Sequence, residues 1–509
     1  MLKNHPKGLL AAALANMGER FGFYTMMAIL VLFLQAKFGL SGTKAGLIYS
    51  IFYFSIYILA FVGGLIADQT RNYKGTILTG LIVMTTGYLI IAFPTPTPVS
   101  NKALFLMLSC FGLLTIAFGN GLFKGNLQAV VGQMYDNEKY GKMRDSGFSI
   151  FYMFINVGAL FAPLMAIAMR NAWLGKYGFK YNANLPELCH GFLGNTLTPE
   201  AHEKLSVLAS QVSNSPVSDI TSFANNYLNI FTRGFHYAFG ISVIAMIISL
   251  TIYIYNKKRL PNPAPKISKA INSSLAQMEV KEIRQRMYAL FAVFSIVIFF
   301  WFSFHQNGLT LTYFAKDYTN LRSIRINLGF VVIQGAEIFQ SINPLFIILL
   351  TPIIMSIFGW LRARGKEPST PRKIAMGMFI AAMAYVVMSI GSFHLPLKSA
   401  VETMGGLPDS QRVTPLLLIG TYFILTIAEL FISPLGISFV SKVAPPQYQG
   451  IMQGGWLGAT AIGNQLTFIG AILYEHVPIW LTWSVFVTAC ILSMFTMLFM
   501  LRWLERVAK

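Results

Sequence analysis

The sequence predicts an all-α polytopic membrane protein whose twelve transmembrane helices form two six-helix bundles, and three observations carry that reading. The chain is 55% hydrophobic and only 11% charged over 509 residues, with a mean hydropathy of +0.58, whereas a soluble domain is about a quarter charged. Apolar runs of about 20 residues recur along its length, each long enough to cross roughly 30 Å of hydrocarbon as a helix. Four ionisable residues stand inside such runs: Glu19 and Arg20 in the first, Lys124 in the fourth and Glu429 in the tenth. A charge there costs a few kcal/mol unless it faces a cavity or the bundle interior.

The elements follow in order. Span one (about 9–35) is too long for the core of a cleavable signal and contains Glu19–Arg20, so no leader is expected. Span two (44–67) ends at Asp68, which is expected either to latch the adjoining end as a gate or simply to cap a helix. A short basic turn, GGLIADQTRNYKGT (63–76), overlaps its end. Spans three (75–95) and four (103–131) follow, the latter with Gly119, Gly121 and Gly125 around Lys124, where small residues permit close helix approach or bending. Span five (146–170) contains Pro163. A polar connection at about 171–233 reads as a loop or small cap, and span six (234–256) completes the first bundle, residues 1–256. The linker 257–285 is basic and Pro-bearing, ends in an amphipathic stretch and is too short to hide two more spans. The second bundle, 286–509, holds spans at 286–315, 334–361, 373–394, 414–441, 450–474 and 478–503, with Pro344, Pro352 and Pro434 inside them. The basic turn GWLRARGKEPSTPRK (359–373) occupies the place in this half that 63–76 occupies in the first, as related halves require. Glu337 is expected at the end of span eight, where solvent can reach it.

The net charge of +20 does not point to nucleic acid, because the basic residues form a collar and not one soluble face. Of the 39 Lys and Arg, 24 fall in the even-numbered connections and the termini. Short cytoplasmic loops retain such residues, so both termini are expected in the cytoplasm, and the compact loops favour a bacterial inner membrane. Cys110, Cys189 and Cys490 are too few and scattered for a disulfide framework. The chain has no HExxH, no CxxC and no GxSxG at membrane depth, so neither an enzyme nor a metal site is expected.

The intramembrane charges remain to be explained. Glu19 and Arg20 are neighbours, pointing about 100° apart on a helix, so they are not expected to pair ideally with each other. Tyr24 shares the face of Arg20, and a guanidinium fork beside a phenol suits a carboxylate. Lys124 lies too deep to snorkel easily and suits a carboxylate clamp, a proton-linked switch, or both. Charges of both signs on distant spans suggest a polar site for a zwitterion.

Several stretches appear in order: GERFGFY (18–24), GNGLFKGN (119–126), RDSGFSIFYMFINVGAL (144–160), GFHYAFGI (234–241), FWFSFHQNGLTL (300–311), QSINPLFIILLTP (340–352), AELFISPLGIS (428–438) and GIMQGGWLGA (450–459). Together they resemble the proton-dependent oligopeptide transporter (POT) family of the major facilitator superfamily, from the first span to the last. The resemblance implies a cavity between two bundles, import of di- and tripeptides by proton symport with alternating access, a monomer, and no cofactor beyond the proton gradient. It implies that Arg20, Tyr24 and Lys124 face the peptide carboxylate, that Asn156, Asn343 and Glu429 face its amine and backbone, and that Tyr57 and Trp456 line side-chain space. Three positions depart from the family pattern: Asn16 and His305 where acids are usual, and Met27 where Arg is frequent. Glu19, His305, Glu429 and Lys124 are then the candidates for proton coupling. His305 is open to two readings, as a proton carrier or as a packing and substrate-contact group. His236 is read as packing. Relatives on this scaffold carry other solutes, so another zwitterionic or anionic cargo stays open, as does altered coupling.

Overall fold

The computed structural model describes residues 5–135, 138–140, 144–261, 280–327, 329, 332–445 and 449–507. The middle of the linker, 262–279, lies outside them, as does the side chain of Asp68, so the expected gate is not described. The described chain is helical apart from one two-stranded antiparallel hairpin, Ile326–Asn327 with Val332–Ile333. Among the described residues, twelve helices are long and apolar enough to cross a membrane.

Spans one to six are Lys7–Phe38, Gly42–Thr70, Tyr73–Ala92, Lys102–Gln133, Arg144–Lys176 and Ile220–Asn256. Side-chain caps set several of their starts: Asn72, Asn101 and Asp219 accept the N–H groups of Gly75 (2.9 Å), Leu104 (3.1 Å) and Ser222 (3.0 Å). Gly39, at φ +57°, ends span one in the left-handed conformation that glycine adopts freely. Span seven runs Val280–Phe304, tightens into a 3-10 turn at His305–Gly308 and resumes as Thr310–Tyr318. The remaining spans are Ile342–Ala363, Thr370–Gly391, Pro415–Val443, Gln449–Leu466 continued by Phe468–His476, and Ile479–Phe499. Helices thus extend past the apolar runs: span five reaches Lys176 and span six starts at Ile220. The 171–233 connection contributes two short helices of its own, Leu185–Leu193 and Pro199–Ser213. These lie at the end of the bundle opposite the termini, called here the cap end.

Packing repeats between the halves. In the first, spans 1·5, 1·6, 2·4, 3·4 and 3·6 pack together; in the second, 7·11, 7·12, 8·10, 9·10 and 9·12 do the same. Spans two and five meet eleven and eight across the interface, again as a symmetric pair. Spans one and seven occupy equivalent central places and are the most enclosed, with 83% and 61% of their apolar windows buried. A lipid-facing helix cannot be so buried, so the charges of span one point into protein.

Glycines allow the tightest crossings. A Cβ on Gly121 would sit 2.4 Å from the Leu59 carbonyl oxygen of span two, and one on Gly119 2.6 Å from Met84 of span three. Beside Gly125 there is nothing within 4 Å, so of the three glycines around Lys124 two serve helix approach and one borders open space. Gly121→Val should therefore lower the melting temperature in detergent, by an amount reflecting an overpacking cost of about 1–3 kcal/mol or more. Gly125→Ala should not, and equal shifts for the two variants would refute this account of the crossing.

Candidate functional site

Span one presents Glu19 and Arg20 to the centre, and here the sequence expectation is corrected. Their Cα–Cβ bonds diverge, yet both side chains are long enough to fold back on one another. Arg20 donates from Nε and Nη2 to both carboxylate oxygens of Glu19, at 2.5 and 2.6 Å. Burial makes this bidentate arrangement worth the lost rotamer freedom, since Glu19 is 0% exposed and an unpaired charge there would be costlier. Asn120 of span four adds a 2.6 Å hydrogen bond to Glu19, and the guanidinium lies 4.7 Å from the Phe23 ring centroid. Nη1 of Arg20 makes no hydrogen bond among the described residues.

Lys124 differs. Its ammonium sits 4.5 Å from the ring centroid of Tyr57 and has no hydrogen bond or ion pair among the described residues. Cation–π attraction lowers the cost of a partly buried ammonium without neutralising it. Tyr57 belongs to a ladder on span two, Tyr49–Tyr53–Tyr57, with successive centroids 5.8 Å apart. Tyr53 reaches across to His305 of span seven at 4.8 Å, and His305 stacks on Trp301 at 5.0 Å and 16°. A continuous aromatic track thus joins Lys124 in one half to His305 in the other. The four-residue spacing of these tyrosines was a usable sequence signal for Tyr53 and Tyr49, which sequence reasoning missed.

On the facing half, Glu429 accepts a 3.0 Å hydrogen bond from Asn343 Nδ2, which also donates to Thr426. No cation pairs with Glu429 among the described residues. It lies within electrostatic reach of Tyr24, Tyr53, Tyr57 and Tyr152 of the first half, and Tyr24 is likewise within reach of Arg20. Direct contacts and electrostatic reach thus link Arg20, Tyr24, Tyr57, Lys124, His305, Asn343 and Glu429 through the tyrosines of the first half. Asn156 donates to the Tyr152 carbonyl one turn back (3.1 Å). Trp456 is 4% exposed, with its indole lying where a Cβ on Gly436 would stand, so it packs on span ten here. His236 is a packing residue, bonded to the Ile91 carbonyl (2.7 Å) and edge-on to Phe33.

The hydrogen bonds and ion pairs joining the two halves, among the described residues, lie in the cap-end half of the bundle. Glu337 is not solvated as expected. It is completely buried and forms a short ion pair with Arg170 of span five, because the 3-10 turn Ala336–Ser341 is tucked against that helix. Glu475 accepts from the backbone N–H (3.0 Å) and the hydroxyl of Thr43. Lys316 donates to Glu187 of the first cap helix (2.8 Å), and Lys398 lies 3.2 Å from Asp317. Burial alone would lower the pKa of Lys398, but the carboxylates of Asp317, Glu187 and Glu402 hold it well above the ordinary lysine value. Cavities of about 680 and 850 Å³ open at this end; the Lys124–Glu429 level is marked by its charges.

The POT family model matches residues 74–281 and 264–481. The chain belongs to the POT family. POT-family relatives include the peptide transporter YePEPT of Yersinia enterocolitica, 30% identical over 90% of this chain and 86% of that protein. The uncharacterized transporter YclF of Bacillus subtilis is 28% identical over 93% and 89%. Among solved structures, a peptide transporter POT in complex with sulfate superposes with a TM-score of 0.72 at 22% identity, covering 100% of this chain and 96% of that one. A POT family transporter in complex with 5-aminolevulinic acid gives 0.71 at 22%, covering 100% and 98%. The fold is that of the major facilitator superfamily, and the chain is a multi-pass membrane transporter, not an enzyme.

Proposed function

We propose that this POT-family transporter imports di- and tripeptides by proton symport. The observation that carries the reading is a pair of opposite charges without ionic partners among the described residues, Lys124 on one half and Glu429 on the other. A peptide is a zwitterion. Its carboxylate suits Lys124, with Nη1 of Arg20 and the Tyr24 phenol beside it, and its ammonium suits Glu429 with the amides of Asn343 and Asn156. Such a substrate spans the interface and neutralises both charges while leaving its side chains to the aromatic surface of Tyr57, with Trp456 available only if it leaves its packing on span ten. Affinity then depends on the distance between termini more than on side-chain identity, as broad uptake requires. The names of relatives, several of them di-/tripeptide transporters, support the same cargo.

Glu429 is the first choice for the coupling proton, because protonation would remove a charge that no cation balances among the described residues, whereas Glu19 is committed to Arg20. His305 and Lys124 join it through the aromatic track. The halves 1–256 and 286–509 would rock about the site, joined by the 257–285 linker, with Asp68 gating the termini end. The basic collar supports cytoplasmic termini, a bacterial inner membrane and an outward-facing cap end, and the protein is proposed to act as a monomer. Uptake of a labelled dipeptide into proteoliposomes tests the reading. Accumulation should rise when the exterior is made acidic, and collapse with an ionophore that dissipates the pH gradient. Uptake indifferent to the gradient would remove the proton, and no uptake would remove the peptide.

A further inference from the structure

Short loops on the outer face of a membrane protein are expected to be poor in Lys and Arg, yet the cap end carries a dense basic group that peptide binding does not use. Lys176 and Lys180 come from the end of span five and the turn after it. Arg322 and Arg325 lie just before the hairpin at Ile326–Asn327, and Arg412 precedes span ten. All five line one groove of about 850 Å³, with Asp409 as the acid lining it among the described residues. Asp409 is engaged by Arg322 at 2.8 Å and, more distantly, by Arg412 at 3.7 Å. Lys176 and Arg325 have no hydrogen bond or ion pair among the described residues. The groove straddles the interface, with lysines from one half and arginines from the other.

Its depth is marked by aromatic residues. Lys176 lies 5.3 Å from the Trp173 ring, which packs on Tyr177 at 5.0 Å and Tyr237 at 4.3 Å. Clustered Trp and Tyr beside a lysine at the end of an apolar helix belong at the headgroup level of a bilayer. We infer that this groove binds the phosphate of an anionic phospholipid headgroup, which bridges the two bundles at the cap end. Arginine forks and lysine ammonium groups are the donors that phosphate oxygens select. Lipid, and not a soluble phosphate, is favoured because the aromatic cluster puts the lysine wall in the interface. A headgroup there would tie together two surfaces that must part when the cap end opens, so anionic lipid should favour the closed cap.

The inference does not depend on peptide cargo, and its test reads lipid directly. The full chain would be purified from membranes, exchanged into nanodiscs of phosphatidylcholine doped with phosphatidylglycerol, and its retained lipids counted by native mass spectrometry. The double variant Lys176→Gln/Arg325→Gln should retain phosphatidylglycerol roughly thirtyfold less, the loss expected for two near-surface cations. Lys102→Gln, which removes an exposed cation at the start of span four outside the groove, should match the wild type. Millimolar inorganic phosphate should displace little of the lipid. Equal retention by the double variant, or an equal loss in Lys102→Gln, would overturn the site. Full displacement by inorganic phosphate would replace the lipid with a soluble anion.

Discussion

Lys124→Ala and Glu429→Gln should each abolish accumulation of a labelled dipeptide in proteoliposomes, while Cys110→Ala should transport normally. The two site groups are the charges that a bound zwitterion would neutralise, and removing one leaves the opposite end of the ligand held and its own end unpaired. Truncating one partner of a buried, hydrogen-bonded charge pair costs about 2–5 kcal/mol, roughly thirtyfold to several thousandfold in affinity. Lys124→Ala loses the ammonium outright and leaves the Tyr57 face bare. Glu429→Gln keeps shape, and the amide can still meet Asn343 and Thr426, so folding should survive. The two variants should separate in counterflow, where no net proton movement is needed. Glu429→Gln should retain some exchange if its main role is proton coupling, and Lys124→Ala should show none. Wild-type accumulation by either variant, at equal amounts of folded protein, would refute the site.

The parts of this molecule that hydrocarbon selects were readable from sequence, and the parts that protein packing selects were not. Twelve apolar runs became twelve spans, and Lys124 and Glu429 stood out because nothing but a polar interior justifies them. The meeting of Lys124 with Tyr57 and of Tyr53 with His305 depends on how helices from different parts of the chain align, which no local pattern encodes. Glu19 and Arg20 show the limit of rotational reasoning: 100° between neighbours fixes where side chains leave the helix, not where flexible ends meet. Glu337 shows another. Its place at a helix end suggested water, but the turn that carries it is packed against span five and against spans one, seven and ten, which makes it interior. The sequence showed 171–233 as a loop or small cap but not its two helices, which are short and take their burial from each other, from spans one and six and from a few contacts with the other half. Thr198, which caps the second cap helix through the N–H of Ala201 (3.3 Å) and also donates to the Thr403 carbonyl of the other half (2.8 Å), is one such contact.

Breaking the Arg170–Glu337 pair should shift the transporter toward a state open at the cap end. Both side chains are 0% exposed. Arg170 is further fixed by stacking 4.1 Å from the Tyr181 centroid and by donating to the Gln334 carbonyl at 3.2 Å. Every one of these groups except Arg170 and Tyr181 belongs to the second half, so separation of the halves must dissolve the pair. Water entering the opened cap would solvate both ions, and the pair therefore acts on the closed state alone. Glu337→Gln leaves the guanidinium buried with a weaker acceptor, and Arg170→Leu leaves a buried carboxylate with none. Losing one partner of a buried pair costs about 3–5 kcal/mol, enough to move a two-state equilibrium by roughly a hundredfold or more. Spin labels at Lys102 and Ser410, exposed cap-end positions on opposite halves, would report the distance between the halves. Each single variant should lengthen it, and Arg170→Leu should do so more. The double variant Arg170→Leu/Glu337→Leu should recover much of the closed population, because two apolar side chains can pack where two ions sat. That recovery separates a gate from a loss of folding, since damage to the fold would accumulate in the double variant. An unchanged distance distribution in both single variants would show that the cap network through Lys316, Lys398 and Glu475 holds the closed state without Arg170.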